Sequence, residues 1–163
     1  MSDAPPVQTV PVYSLAQVLK HTHAGAALVG MSIIDQQLGD ALLLKMRPLS
    51  RRMRDRLFSG YGPLSSLSAK IDLAFALQLL DSASYDRATT GRQIRNLFAH
   101  ADQWLTFDST EIKALLSKLP AEGADVADSQ SLFVWQLSQV EKHMISIVGD
   151  SILKPGPVIR PDE

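Results

Sequence analysis

The chain has 163 residues, of which 45% are hydrophobic and 20% charged, and its net charge at pH 7 is −1. This composition is that of a folded chain with a hydrophobic core, and the length favours one domain over two. The sequence has no cysteine, which excludes disulfides, thiolate metal sites and a cysteine nucleophile. No apolar run approaches the ~18 residues of a membrane span, and no secretory signal is recognisable. We therefore expect a soluble, cytoplasmic protein without membrane contact.

Proline marks the borders of the predicted domain. Six of the nine prolines lie near the two ends: Pro5, Pro6, Pro11, Pro155, Pro157 and Pro161. Because proline lacks an amide proton and has a fixed φ, we expect extended tails at residues 1–13 and 154–163. The other three prolines, Pro48, Pro63 and Pro120, predict breaks between helices. Residues 14–153 are therefore expected to form one all-α domain.

Apolar residues recur between these breaks at spacings of three and four, which is typical of amphipathic helices. In chain order, the pattern predicts helices at 25–46, 65–80 and 82–104, a short helix starting at Asp108 or Ser109, and a long helix at 129–153. In the first of these the apolar face is expected to consist of six residues: Ala26, Val29, Ile33, Leu38, Ala41 and Leu44. No segment alternates polar and apolar residues as a strand does. The sequence thus predicts a single-domain, all-α helical bundle.

A basic segment follows the first helix, from Lys45 to Arg56. It has six basic residues and one acidic residue, a charge of +5 that leaves −6 for the rest of the chain. The candidate binding patch consists of Arg47, Arg51, Arg52, Arg54 and Arg56. Such a cluster can contact phosphates; the alternatives are a solvated connector and a dock for an acidic protein. No aromatic residue separates the arginines, which argues against stacking on single-stranded bases.

Two charged residues, Lys70 and Asp72, interrupt the apolar pattern of the predicted helix at 65–80. They are two positions apart and point to different faces, so they do not pair with each other. We interpret them as structural, with Asp72 paired to an arginine of another helix, preferably Arg95. Asp35 is a second candidate partner for Arg95. The predicted polar network therefore consists of Asp35, Lys70, Asp72 and Arg95.

The segment Ile94-Arg95-Asn96-Leu97-Phe98-Ala99-His100 is the clearest candidate for chemistry. On a helix, Asn96 and His100 share a face, Arg95 is turned away from His100, and Arg92 adds a second cation. Arginine, asparagine and histidine together can hold a phosphate, orient a ribose hydroxyl and transfer a proton near pH 7. The alternative is that these residues tie helices together.

Two stretches about twenty residues apart, Gly62 to Ala74 and Ile94 to His100, resemble the mannitol-operon repressor (MtlR-like) family. The resemblance covers roughly residues 23–119, and the two motifs in this order are more specific than either alone. It implies an all-α transcriptional regulator that lacks a conventional DNA-binding motif and acts through a protein partner. Specific binding to duplex DNA is therefore not expected, in agreement with the net charge.

The Arg95-Asn96-x-x-x-His100 pattern is also similar to the signature of HEPN domains, which are small helical proteins and often dimers. Some members are metal-independent endoribonucleases. The resemblance implies that Arg95 would stabilise the phosphorane, His100 would act as general acid or base, and Asn96 would position it. Under this alternative RNA is a substrate and a homodimer is possible. Neither resemblance implies a metal or a cofactor.

Overall fold

The computed structural model describes residues 15–101 and 104–153, and this part of the chain forms six helices without a strand. In chain order they are α1 (Leu15–Lys45), α2 (Arg51–Phe58), α3 (Leu67–Ala76), α4 (Ser82–His100), α5 (Thr110–Leu116) and α6 (Ser129–Leu153). The prediction of an all-α bundle is confirmed. The predicted tails at 1–13 and 154–163 lie outside the described residues.

The helix ends differ from the predicted ones at several places. Helix α6 has the predicted bounds, whereas α1 begins ten residues earlier than expected and α4 ends at His100 instead of residue 104. The basic segment contains a helix of its own, α2, which the sequence interpretation did not include. Ser50 begins it, because its hydroxyl accepts the amide proton of Met53. Pro48, Pro63 and Pro120 all lie between helices.

Helices α1, α4 and α6 form the centre of the bundle, with α3 against α1 and α4, and α5 against α4 and α6. Their buried side chains form one hydrophobic core, in which the largest are aromatic. Phe107 lies between Phe98 and Phe133, with ring centroids 5.0 Å apart on both sides. Helix α2 differs from the others, since none of its residues is buried.

Two glycines let the three central helices approach one another at one point, which we call the glycine junction: Gly30, Gly91 and Leu137. A Cβ atom at Gly30 would lie 2.8 Å from Leu137 Cδ1. A Cβ atom at Gly91 would lie 3.1 Å from Leu137 Cδ2 and 2.6 Å from Met31 Sδ. These distances are shorter than van der Waals contact, so a side chain at either glycine would displace the ends of the Leu137 and Met31 side chains.

The core-facing stripe of α1 was predicted wrongly at three positions. Val29, Ile33 and Leu44 are 61%, 49% and 59% exposed. Leu38 and Ala41 were predicted correctly and are buried. The other buried residues of α1 are Ala27, Met31, Ile34 and Leu42. Because α1 carries apolar residues on both faces, spacing alone fits either stripe, and tertiary packing decides between them.

One segment of α1, Thr22–Lys45, is long and apolar enough to cross a membrane when judged by length and composition alone. This corrects the expectation that no apolar run approaches that length. The buried stripe of the same helix packs into the bundle core, as the central helix of a globular protein does. The segment is therefore weak evidence for a membrane span.

The start of α4 is fixed by a cap that also contacts α6. The side chain of Asp81 accepts the amide proton of Ser84 at 2.7 Å, and the amide of Asp81 donates to His143 Nε2 at 3.2 Å. His143 Nδ1 lies 3.7 Å from the Asp81 carboxylate. Burial raises the pKa of Asp81, but the hydrogen bonds from Ser84 and the nearby His143 and Arg87 side chains outweigh it, so this pKa is lowered.

We predict that Asp81→Ala lowers the free energy of unfolding by about 1 kcal/mol, since α4 loses its cap. Asp81→Asn should cost less, because the amide oxygen still accepts from Ser84. The lowered pKa means that the carboxylate contributes stability above about pH 4 and loses it as the pH falls through the folded-state pKa. Urea unfolding from pH 7 to pH 2 measures this. The prediction would be contradicted if the free energy of unfolding of wild type rose relative to that of Asp81→Asn as the pH falls.

We predict that Gly91→Val lowers the free energy of unfolding by about 1–3 kcal/mol, because the added atoms displace Met31 and Leu137 from the glycine junction. Gly39→Ala is the matched control, since a Cβ atom at Gly39 meets no atom within 4 Å. That change should stabilise the protein by about 0.5–1 kcal/mol through helix propensity. Thermal and urea melts compare the two. Equal effects of both variants would show that Gly91 is not a close-approach position.

Candidate functional site

A cleft with a volume of about 360 Å³ lies between α1, α3 and α4, and we call it the serine–arginine cleft. Its wall residues come from three places in the chain. They are Met31, Ser32 and Asp35 of α1, Ser65, Ser66, Leu67 and Ser68 at the start of α3, and Arg92, Arg95 and Asn96 of α4. Polar and cationic side chains thus predominate, which distinguishes this cleft from the apolar grooves of the molecule.

Helix α4 supplies the cations of the serine–arginine cleft. Arg92 and Arg95 are three residues apart, a spacing that places them on one side of a helix. Arg95 Nη1 donates to Asn96 Oδ1 at 3.1 Å, which leaves its other N–H groups unused. Arg92 is half-buried and has neither a hydrogen bond nor an ion pair with any residue that the structure describes. Two guanidinium groups in this cleft therefore have donors available.

The start of α3 supplies the hydroxyl groups of the cleft. Ser66 is the N-cap of α3, and its hydroxyl accepts the amide proton of Ala69 at 3.2 Å. The Ser65 hydroxyl donates to the Gly62 carbonyl at 2.7 Å and fixes the turn before the helix. Within the described part of the chain, the amide groups of Leu67 and Ser68 donate no hydrogen bond, as is usual in the first turn of a helix.

An ion pair lies beside the cleft and joins α3 to α1. Lys70 Nζ is 2.9 Å from Asp35 Oδ1, and Lys70 is only 8% exposed. A lysine this deep needs a counter-charge, which Asp35 provides. Asp35 is also the single acidic residue among those lining the cleft. Its charge is therefore neutralised by Lys70, and Arg92 and Arg95 give the cleft a formal charge of +2.

The predicted polar network is divided in the structure. Asp35 and Lys70 are paired, but Asp72 is exposed and accepts a hydrogen bond from the hydroxyl of Tyr85 at 3.1 Å. The expected pairing of Asp72 with Arg95 is wrong, because Asp72 lies on the side of α3 that faces Tyr85. Arg95 binds Asn96 instead.

The three residues of the HEPN-like pattern are only partly brought together. Arg95 and Asn96 are in contact and line the serine–arginine cleft, whereas His100 is exposed at the end of α4 and is not among the residues lining the cleft. Five residues along a helix correspond to about 7.5 Å of rise and 140° of rotation. One chain alone therefore does not place His100 beside Arg95. Among the described residues, no cluster of three or more metal-ligating side chains occurs.

The basic segment forms a second candidate site, which we call the arginine surface: Arg47, Arg51, Arg52, Arg54 and Arg56. All five side chains are exposed. None of them has a hydrogen bond or an ion pair with a residue in the described ranges 15–101 and 104–153. Exposed charges of one sign on one short helix repel one another, so this surface gains from an anionic partner.

An apolar groove of about 410 Å³ lies next to the arginine surface, at the end of α1. Its walls include Leu43, Leu44, Pro48 and Leu49, and two members of the arginine surface, Arg47 and Arg54, border it. This groove was not predicted from the sequence. The apolar residues on the exposed face of α1 could have indicated the groove, but they were predicted to face the core.

The groove continues along the outer side of α1 toward α6. A further depression of about 340 Å³ shares Asp40 and Leu44 with it and is lined by Met144, Ile145 and Val148 of α6. Between the two helices, Gln37 Nε2 donates to Glu141 Oε1 at 2.6 Å. We call the combined feature the α1–α6 groove. It gives the protein an apolar surface in contact with a strongly basic one.

Comparison with protein-family models, with curated proteins and with solved structures finds no match for this chain. The similarities to MtlR-like proteins and to HEPN domains therefore stay predictions.

We predict that Asp35→Ala lowers the free energy of unfolding by about 2–4 kcal/mol, because Lys70 is left buried without a counter-charge. Asp72→Ala should cost less than about 1 kcal/mol, since Asp72 is exposed and loses one hydrogen bond. The double variant Asp35→Ala/Lys70→Met should recover most of the loss, as the buried charge is removed. Urea melts of the four proteins give the comparison, and a greater loss for Asp72→Ala than for Asp35→Ala would refute it.

Proposed function

We propose that this protein is a cytoplasmic regulator, similar to MtlR-like proteins, that acts by binding another protein through the arginine surface and the adjoining α1–α6 groove. One observation supports this most. Five exposed arginines have no partner in the described part of the chain, two of them border an apolar groove, and the net charge of the protein is only −1. The charge is concentrated on one surface and is not spread over the molecule.

The combination of arginines and an apolar groove favours a protein over a nucleic acid. Protein interfaces are enriched in arginine and in apolar groups at their centre, and both are present here. A nucleic-acid surface instead needs cations along the path of the phosphates, and often aromatic residues on which bases stack. The side chains between Arg51 and Arg56 are those of Arg52, Met53, Arg54 and Asp55, none of which is aromatic.

The chemistry of the surface indicates the kind of partner. A segment that carries both acidic and apolar residues would place its apolar side chains against Leu44 and Leu49 and its carboxylates against Arg47 and Arg54. Such a partner would explain why Leu44 is 59% exposed and why no acidic side chain of the described residues pairs with these arginines. An amphipathic acidic helix has this pattern of residues.

The ribonuclease alternative has less support. It needs Arg95 and His100 at one scissile phosphate, and within one chain these side chains point in different directions along α4. A second chain would have to supply the missing group. We therefore retain the regulatory function as the proposal.

The proposal is tested in a deletion strain by measuring transcript levels after complementation. Wild type should restore the original profile, whereas the double variant Arg51→Glu/Arg54→Glu should fail, because charge reversal repels an acidic partner. We expect binding to the partner to weaken at least about tenfold. Lys118→Glu is the matched control, since Lys118 is exposed but lies on the α5 side of the bundle. Equal failure of the control variant would contradict the proposal.

The class of partner is tested by placing a photo-crosslinking residue at position 53 in cells. Met53 is 41% exposed and lies between Arg52 and Arg54. The expected product is a discrete protein adduct that disappears in the Arg51→Glu/Arg54→Glu background and is not formed from position 118. A nucleic-acid adduct, or sequence-specific duplex binding that survives competitor DNA, would contradict it. So would chelator-resistant RNA cleavage that a folded His100→Ala variant has lost.

A further inference from the structure

The serine–arginine cleft does not take part in the proposed protein contact. Its lining residues favour the binding of a separate ligand. Arg92 and Arg95 bring two guanidinium groups into it. The single acid in its lining, Asp35, is already paired with Lys70. Arg92 is half-buried and Arg95 is exposed, so an incoming ligand can reach both guanidinium groups, and no acid of the cleft balances their charge. The cleft therefore favours an anionic ligand.

The donors in the cleft match a phosphate group. Guanidinium groups present paired N–H donors, which bind phosphate oxygens in a bidentate manner. Arg95 uses one donor for Asn96, and Arg92 uses none on any residue that the structure describes. Across the cleft, the first amides of α3, at Leu67 and Ser68, have no acceptor among the described residues, and the positive end of the helix dipole is there. The cation pair is the primary feature, and these amides add to it.

The size and the remaining walls indicate a small molecule. A volume of about 360 Å³ is at the lower end of the range for small-ligand sites. The hydroxyl groups of Ser32, Ser65 and Ser68 can bind polar atoms outside the phosphate. Met31 and Leu67 provide a limited apolar contact. This is the environment of a compact, polar phosphate ester.

From these contacts we infer that the serine–arginine cleft is a binding site for a small phosphate ester, whose phosphate lies between Arg92, Arg95 and the first turn of α3. The serine hydroxyls bind the rest of the molecule. His100 is not needed, since it does not line the cleft. The inference goes beyond the proposed function, because it concerns different residues and a different class of ligand.

The test is calorimetric titration of the purified full-length protein at constant ionic strength. Glycerol 3-phosphate is the phosphate-ester probe, inorganic phosphate the free anion, and glycerol the neutral comparison. We expect glycerol 3-phosphate to bind more tightly than inorganic phosphate, and glycerol to give no heat of binding. Arg92→Gln and Arg95→Gln should each weaken glycerol 3-phosphate binding at least about tenfold.

Two further variants keep the result interpretable. Arg92→Lys retains the charge but not the paired donors, so this variant should bind glycerol 3-phosphate with an affinity between those of wild type and Arg92→Gln. Its melting temperature should equal that of wild type. Arg51→Gln/Arg54→Gln removes the same kind of charge from the arginine surface and should leave the affinity unchanged. Equal weakening by this control, or no binding of either phosphate probe, would overturn the inference. Tighter, Arg92-dependent binding of a short RNA oligonucleotide would overturn it in favour of a polymer site.

Discussion

The close approach of α1, α4 and α6 at the glycine junction is the constraint on which the rest of the structure depends. Leu137 occupies the space that side chains at Gly30 and Gly91 would fill. Met31, which contacts Gly91, is also a wall residue of the serine–arginine cleft, and Arg92 directly follows Gly91. The position of the cleft cations relative to α1 is therefore set by packing at the junction. A shift of α4 at this point would move the candidate site with it.

The Lys70–Asp35 ion pair has a similar double effect. It joins α3 to α1 across 35 positions of sequence and thereby holds Ser66 and Ser68 opposite Arg92. It also neutralises the acid that would otherwise pair with an arginine of the cleft. Buried ion pairs add little net stability, because desolvation offsets most of the Coulomb attraction. This pair instead fixes the position of α3 relative to α1. Because it occupies Asp35, Arg92 and Arg95 keep donors available for a ligand.

The sequence allowed the helices to be predicted better than their contacts. The spacing of apolar residues identified α6 with its observed ends, since that signal is local. Spacing alone did not identify the residues of α1 that face the core, because Val29 and Ile33 are four apart, Met31 and Ile34 are three apart, and both spacings are helical. The partner of Asp72 was misassigned for the same reason: Tyr85 is on another helix, and no spacing rule links them. Arg95, Asn96 and the neighbouring cation Arg92 were singled out from the sequence, whereas the approach of the α3 serines to them depends on the packing of three helices.

The arginines of the two candidate sites lie in unlike environments, and the difference determines what each group can bind. On α2 the guanidinium groups are exposed beside an apolar groove, where salt screens them and the partner's shape and burial of apolar area must supply the affinity. In the serine–arginine cleft the half-buried Arg92 and the exposed Arg95 lie among hydroxyl groups, where a single anion can contact several donors at once. An extended macromolecular partner fits the first environment and a compact anion the second. Helix α1 is common to both, since it contributes Leu44 to the groove and Asp35 to the cleft, so the two sites are built on one rigid element.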